Sequence, residues 1–159
     1  MKMRVSLLRL GSCALIATLL TASVAVAASA KVPVQTVTLD NGLTLLLVPK
    51  PELTTVAGGW VAHVGSANER PGITGISHFF EHMMFKGTKN LKPGEFNQRV
   101  ARAGGRDNAF TSHDYTAYFQ QLEKSRLPIA FELEADRMRN LVLDPKEFAK
   151  ERKVVMEER

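Results

Sequence analysis

Apolar and polar residues alternate along the first part of the chain with the period of two that is typical of β-strands. Residues 34–39 alternate in this way, and residues 43–48 return as an apolar strand after Asn41-Gly42, a dipeptide that favours a tight hairpin turn. A third strand is predicted over about residues 54–64. Residues 65–72 are rich in breakers and predict a loop.

From residue 75 onward the hydrophobic period is mostly that of helices. Residues 75–85 predict a helix with most faces buried, because apolar residues outnumber polar ones in a run without internal breakers. A short amphipathic helix follows over residues 95–103, closed by Gly104-Gly105. Asp144-Pro145 ends a longer helix over residues 126–143 and starts the next. The predicted buried side of that longer helix consists of Leu127, Ile129, Ala130, Leu133, Met138 and Leu141.

The order of these elements predicts the fold class. Residues 106–111 and 115–122 are predicted to form a strand pair between the helices. Strands followed by packed helices make an α+β domain, with helices on one face of a largely antiparallel sheet.

The first thirty residues have the composition of a secretory signal peptide. Lys2, Arg4 and Arg9 form a positive n-region, residues 13–27 are almost wholly apolar, and small residues suitable for cleavage stand at 25–27 and 28–30. An uncleaved membrane anchor is the alternative, because the apolar run is near the lower limit for spanning a bilayer. We expect cleavage after residue 27 or 30 and export to a bacterial periplasm, with residues 31–159 as the folded domain.

Loss of that segment changes both the charge and the cysteine content. The chain carries 21 Lys and Arg against 16 Asp and Glu, a formal net charge of +5. Three of the basic residues and none of the acidic ones lie in the first thirty, so the net charge falls to about +2, which gives no indication of a nucleic-acid partner. The single cysteine, Cys13, leaves with the signal, which excludes a disulfide and a thiolate metal site from the exported product.

The clearest chemistry lies in His78-Phe79-Phe80-Glu81-His82. Two histidines four residues apart project from one face of a helix, so both imidazoles can reach a single ion. Imidazole is a good zinc ligand, and Glu81 is a carboxylate placed to deprotonate the attacking water. The order His-x-x-Glu-His is the inverzincin signature. A solvent-facing polar stripe is the alternative, but the trio is embedded among large apolar residues, where it needs a partner such as a metal ion.

The predicted helix over residues 145–159 offers the ligand that the first motif lacks. Two histidines and a water leave zinc one protein ligand short, and a carboxylate commonly completes such a set. Glu151 and Glu158 lie seven residues apart, two helical turns, and share a face. Either can complete the site while the other supports it.

Two further histidines lie in settings that are typical of structural or surface residues. His63 falls in a predicted strand, and His113 falls in the turn-like residues 112–114. We therefore expect neither to bind the metal.

Three motifs together resemble the pitrilysin/insulinase family of zinc metallopeptidases. They are residues 75–88 around the His-x-x-Glu-His core, residues 108–116 (Asn-Ala-Phe-Thr-Ser-His-Asp-Tyr-Thr) and residues 151–158 (Glu-Arg-Lys-Val-Val-Met-Glu-Glu). Their order and spread make the match far more specific than the five-residue signature alone. The chain looks most like the bacterial exported branch that is related to the mitochondrial processing peptidase β-subunit.

The resemblance implies a zinc-dependent endopeptidase that hydrolyses unfolded peptides, and it implies a role for each matching residue of the metal site. One Zn²⁺ per chain would be held by His78, His82 and Glu158. Glu81 would be the catalytic general base, and Glu151 would support the site without binding the metal.

The resemblance also implies where the peptide substrate binds. Residues 108–111 match the strand edge along which the family binds its peptide, so Asn108 and Ala109 are the implied contacts. An extended peptide that adds to a strand edge is bound mainly through its main chain, which predicts weak side-chain specificity.

Members of the family carry two similar halves that close around the substrate, whereas this sequence ends at Arg159, directly after the implied third ligand. We therefore expect an N-terminal fragment that holds zinc weakly and has little or no peptidase activity by itself. A non-catalytic structural or substrate-binding subunit and a metal-storage domain are the alternative functions. A homologous subunit without the metal motif is a further expected partner, and the donor set also suits Mn²⁺ or Co²⁺.

Overall fold

The computed structural model of the protein describes residues 32–158, and the predicted signal peptide lies outside the described residues. The chain divides after Pro49 into two compact units. Between residues 32 and 158 no helix is both long and apolar enough to span a bilayer.

A β-hairpin forms the described part of the first unit. Strand β1 (Gln35–Thr38) pairs antiparallel with β2 (Thr44–Leu47). Gly42 has a φ of 86° in the connecting turn, a conformation that glycine adopts without steric cost, and Asn41 Oδ1 accepts a hydrogen bond from the Leu43 N–H at 3.0 Å. The predicted hairpin is confirmed, with each strand one residue shorter at both ends than expected.

The second unit contains a three-stranded antiparallel sheet. Its strands are β3 (Thr55–Ala62), β4 (Arg106–Thr111) and β5 (Thr116–Glu123), in the order β3–β5–β4. The predicted strands are confirmed to within two residues at each end. Because β5 is central, β4 is an edge strand, and no strand among residues 32–158 pairs with its outer side.

Helices cover one face of this sheet. They are α1 (Ile76–Met83), α2 (Glu95–Arg102), α3 (Leu127–Asn140) and α4 (Pro145–Glu157). The first three contact the sheet, and α4 contacts α1. An apolar core consists of Leu91, Phe96, Val100 and Leu133.

The predicted burial of most faces of α1 is confirmed except along one stripe of the helix. Ile76 and Phe80 are 49% and 46% exposed, whereas Ser77, Glu81 and Met83 are buried. The helix packs with one side against the sheet and α4, so its apolar residues on the remaining side stay accessible.

The C-terminal end of α3 also differs from the prediction. The helix ends at Asn140, three residues early, because Leu141 takes an extended backbone and forms a β-bridge with Thr88. The Lys89 N–H donates to the Asn140 carbonyl oxygen at 2.9 Å. Pairing with the segment after α1 thus replaces the last helical turn.

An ion pair lies on the buried side of α3. Met138, predicted to be buried, is 50% exposed, whereas Arg137 is 1% exposed. Arg137 donates from Nε and Nη2 to the two oxygens of Glu134 at 2.5 and 2.6 Å. Glu134 also accepts a hydrogen bond from Trp60 Nε1 of β3 at 2.7 Å and one from Gln120 of β5. The pair therefore joins α3 to two strands and displaces Met138 from the core side.

Candidate metal centre

A carboxylate from the preceding loop fixes the start of α1. Glu69 accepts hydrogen bonds from the backbone N–H groups of Gly75 at 2.7 Å and Ser77 at 2.9 Å. The bonds from Ser77 and then Gly75 hold the pKa of the Glu69 carboxyl below its usual range, because they favour the ionised form. A negative charge at a helix N-terminus is also favourable. The loop thus determines where the helix with both histidines begins.

Helix α4 is placed against α1 by its own start and by an aromatic contact. Asp144 caps the helix by accepting a hydrogen bond from the Lys146 N–H at 2.6 Å, and Pro145 occupies the first turn. The ring of Phe148 packs edge-on against that of Phe79, with centroids 4.6 Å apart. The predicted role of Asp144-Pro145 as a helix start is confirmed.

Three side chains from α1 and the end of α4 converge. His82 Nε2 lies 3.1 Å from His78 Nε2, and Glu158 Oε2 lies 3.5 Å from each of these two nitrogens. Tetrahedral zinc ligands at about 2.0–2.1 Å from the ion stand about 3.4 Å from one another. The triangle of donor atoms therefore has the size of one face of a zinc tetrahedron, and two imidazoles with one carboxylate are a donor set that fits Zn²⁺.

Glu151 sets the tautomer of His82. Its Oε1 lies 2.8 Å from His82 Nδ1, and because an ionised carboxylate only accepts, Nδ1 is the protonated nitrogen. The lone pair is thereby left on Nε2, the atom that faces His78 and Glu158.

Glu151 is itself held by Lys86, whose Nζ lies 2.5 Å from the second carboxylate oxygen. Burial raises the pKa of Glu151, but the hydrogen bonds from Lys86 and His82 outweigh burial and bring the pKa below the ordinary value. Glu151 therefore stays ionised beside the histidine.

Glu81 lies beside a cleft that opens onto the edge strand. The residue is 8% exposed, and its Oε2 accepts a hydrogen bond from Thr111 Oγ1 at 2.6 Å. The cleft has a volume of about 310 Å³, and its lining includes Glu81, His82, Asn108 and Ala109. The structure thus brings the two proposed substrate contacts to the same cleft as the proposed base.

The sequence left the order of the two glutamates of α4 open, and the structure places them differently. Glu158 faces the Nε2 atoms of both histidines, whereas Glu151 faces Nδ1 of His82 alone. The metal-binding and catalytic roles of these side chains stay predictions.

Sequence reasoning missed two residues near the site. Lys86 lies four residues after His82, so helical spacing could have indicated a contact on the same side. Thr111 was part of a recognised motif, but nothing in the sequence pairs it with Glu81, thirty residues earlier. His113 contacts Ser66 Oγ at 3.2 Å through Nδ1, in a loop pairing of the kind expected for a structural histidine.

Comparisons with known proteins show similarity to zinc proteases over most of the chain. Residues 44–159 match the family described as Insulinase (Peptidase family M16). The zinc protease PqqE of Helicobacter pylori is 48% identical over 126 residues, which are 79% of this chain and 28% of that protein. The crystal structure of a protease from Helicobacter pylori matches with a TM-score of 0.77 and 44% identity, over 80% of this chain and 31% of that one.

A respiratory-complex subunit is also similar. Cytochrome b-c1 complex subunit 1 of Bos taurus is 35% identical over 120 residues, which are 76% of this chain and 25% of that protein. The chain therefore spans between 25% and 31% of the length of these relatives. The α+β fold class is confirmed, and the extent of the family match shows that the chain belongs to the insulinase family of peptidases, family M16.

Proposed function

We propose that the complete protein is a zinc-dependent endopeptidase that cleaves unfolded peptides. The observation that carries the proposal is the triangle of donor atoms from His78, His82 and Glu158, with edges of 3.1, 3.5 and 3.5 Å. The buried carboxylate of Glu81 stands next to one corner along the same helix. Membership of a family whose relatives are named zinc proteases supports the same reaction.

The metal set is proposed to hold one Zn²⁺ per chain. When bound, the ion supplies a Lewis acid that acidifies water and polarises the scissile carbonyl. Glu151 keeps the lone pair of His82 Nε2 directed at the site, and Lys86 keeps Glu151 in place.

Glu81 is proposed to move the proton. One of its oxygens accepts the Thr111 hydroxyl, so the other oxygen, Oε1, is left to take a proton from the attacking water. The water oxygen forms a bond to the carbonyl carbon. Glu81 then gives the proton to the leaving amine nitrogen as the C–N bond breaks.

The outer edge of β4 is the proposed peptide-binding site. The Ala109 N–H donates to the side-chain oxygen of Asn108 at 2.9 Å, and no strand among the described residues pairs with this edge. An extended peptide can add there as a further strand, because main-chain hydrogen bonds supply the binding. Asn108 and Ala109 would then lie beside the peptide and within the cleft of Glu81.

The test is cleavage of a quenched-fluorescent, unstructured peptide by the complete protein, with and without a chelator. We expect cleavage that the chelator abolishes. Glu81→Gln should retain zinc and lose turnover by about 100-fold or more, because a general base contributes at least that factor. His82→Ala should lose both zinc and turnover. An active Glu81→Gln enzyme would contradict the role of Glu81, and cleavage that the chelator leaves unchanged would contradict the metal.

A non-catalytic subunit of a larger complex is the second candidate, favoured by the similarity to cytochrome b-c1 complex subunit 1. Its signature is a complete protein that binds zinc and does not hydrolyse peptides, even after a homologous subunit without the metal motif is added. Such a subunit is also a proposed partner of the active enzyme.

Export to the bacterial periplasm remains part of the proposal. N-terminal sequencing of the protein recovered from the periplasm is expected to start after residue 27 or 30. A protein that retains residues 1–30 in the membrane would favour the anchor alternative.

The low activity expected of residues 1–159 alone is checked with the quenched-fluorescent peptide that is used for the complete protein.

A further inference from the structure

Glu81 is anchored by a single side chain of the edge strand. The distance of 2.6 Å between Thr111 Oγ1 and Glu81 Oε2 is that of a strong hydrogen bond from a hydroxyl to a carboxylate. The Thr111 hydroxyl is the donor and the carboxylate oxygen is the acceptor. No other hydrogen bond to the Glu81 side chain is formed by residues 32–158, so Oε1 has no protein partner in this part of the chain.

The position of the Thr111 hydroxyl is set by the sheet. Thr111 is the last residue of β4 and stands opposite Thr116 of β5, with their hydroxyl oxygens 3.3 Å apart. The Thr116 hydroxyl donates to the Val64 carbonyl oxygen at 2.8 Å, so its proton is engaged and cannot compete for Glu81. A threonine side chain has few χ1 rotamers, which limits the Thr111 hydroxyl to a small region.

We propose that Thr111 is a positioning residue that couples the peptide-binding edge to the general base. The inference rests on the proposed function for its account of what Glu81 does. Asn108 and Ala109 lie two to three residues before Thr111 on the same strand. The strand that receives the peptide therefore also fixes one oxygen of Glu81, and the distance between the scissile bond and the base is set by one element.

The kinetic test replaces the hydroxyl and keeps the shape. Thr111→Val in the complete protein should lower kcat by about 10- to 100-fold, because a loosely held catalytic group loses its productive geometry. We expect KM to stay within about twofold and zinc affinity to be unchanged, since neither a peptide contact nor a metal ligand is removed. Thr111→Ser, which retains the hydroxyl, should keep most of the kcat.

Thr55→Val is the matched control, because it makes the same change at an exposed position at the start of β3. It should leave kcat and KM unaltered. An unchanged kcat in Thr111→Val would overturn the proposal. A Thr111→Ser enzyme as slow as Thr111→Val would also overturn it, because the hydroxyl would then not be the group that matters.

A second measurement does not depend on activity. The melting temperatures of zinc-free Thr111→Val, Glu81→Ala and the double variant form a double-mutant cycle. If Thr111 holds Glu81, the double variant should lose clearly less than the sum of the two single losses. Additive losses would overturn the contact. A wild-type protein that cuts no peptide but shows this non-additivity would refute the proposed function and leave the positioning by Thr111 standing.

Discussion

The buried ion pair of α3 gives the sharpest prediction about stability. Arg137→Met removes the guanidinium and keeps a long apolar side chain. The Arg137 side chain is 1% exposed and that of Glu134 is 9% exposed, so the substitution leaves a carboxylate in the interior without its charge partner. The guanidinium carbon also lies between 4.4 and 5.0 Å from the ring centroids of Phe85, Phe96 and Tyr118.

Removing one partner of a buried ion pair costs about 3–5 kcal/mol of unfolding free energy. Trp60 and Gln120 still donate to Glu134 in the variant, and the methionine can pack against the three rings. Both effects place the expected loss near the lower end, at about 3 kcal/mol. A loss of this size is a large part of the stability of an ordinary domain.

Urea denaturation followed by far-UV circular dichroism measures the loss, with the fluorescence of Trp60, the single tryptophan of the chain, as a second probe. Arg139→Met is the matched control, because Arg139 is exposed on the same helix, and it should change the unfolding free energy by less than about 0.5 kcal/mol. The double variant Glu134→Gln/Arg137→Met should recover part of the loss, since no buried charge is left unpaired and the amide oxygen can still accept from Trp60. If Arg137→Met lowers the free energy of unfolding by less than about 1 kcal/mol, the ion pair does not make the contribution to stability that is predicted here.

Three further predictions concern the site and the sheet. Lys86→Met should weaken zinc binding about 10-fold in a competition titration with a chromophoric chelator, because Glu151 loses its ion pair with Lys86. Lys89→Met, at an exposed position, should leave the zinc affinity unchanged. A Lys86→Met protein with the zinc affinity of the wild type would refute the role of Lys86. Gly59→Ala should lower the free energy of unfolding by about 1–3 kcal/mol, because the new Cβ would stand 2.2 Å from the Tyr118 carbonyl oxygen. Gly58→Ala is the control. Its new Cβ would have its nearest contact at 3.8 Å, so it should cost less than about 1 kcal/mol. Glu69→Gln should lower the melting temperature at pH values above 4.5, the ordinary pKa of the carboxyl group. Because folding depresses the pKa of Glu69, the stabilisation that its ionised carboxylate provides is complete above pH 4.5 and disappears as the pH falls through the folded-state pKa. A difference in melting temperature between wild type and Glu69→Gln that does not change with pH would contradict this account.

Local chemistry accounts for the parts of the fold that the sequence predicted well. Asn41-Gly42 determines a hairpin because few other residue pairs fit its turn. The four-residue spacing of His78 and His82 brings their Nε2 atoms to within 3.1 Å of each other, because helical geometry is the same in every protein. Asp144-Pro145 starts a helix for equally local reasons.

Contacts between distant segments account for the errors. Hydrophobic periodicity assigned Met138 to the interior and could not assign Arg137, because a charged residue becomes buried only when a partner such as Glu134 is in place. Leu141 leaves α3 to pair with Thr88, and Thr111 reaches Glu81 across thirty positions of sequence. Such pairings follow from how the elements pack, and no single segment of the sequence contains them.

The donor triangle joins the first helix of the second unit to the residue that follows the last one, and this separation along the chain has a consequence for how the protein is made. His82 and Glu158 are seventy-six positions apart, so at ordinary rates of synthesis the growing chain carries both histidines for about 4–15 s before the carboxylate exists. Even then the carboxylate reaches them only after α4 has docked on α1. Until Glu158 has been made and α4 has docked, the growing chain therefore presents two imidazoles without the carboxylate that completes the triangle.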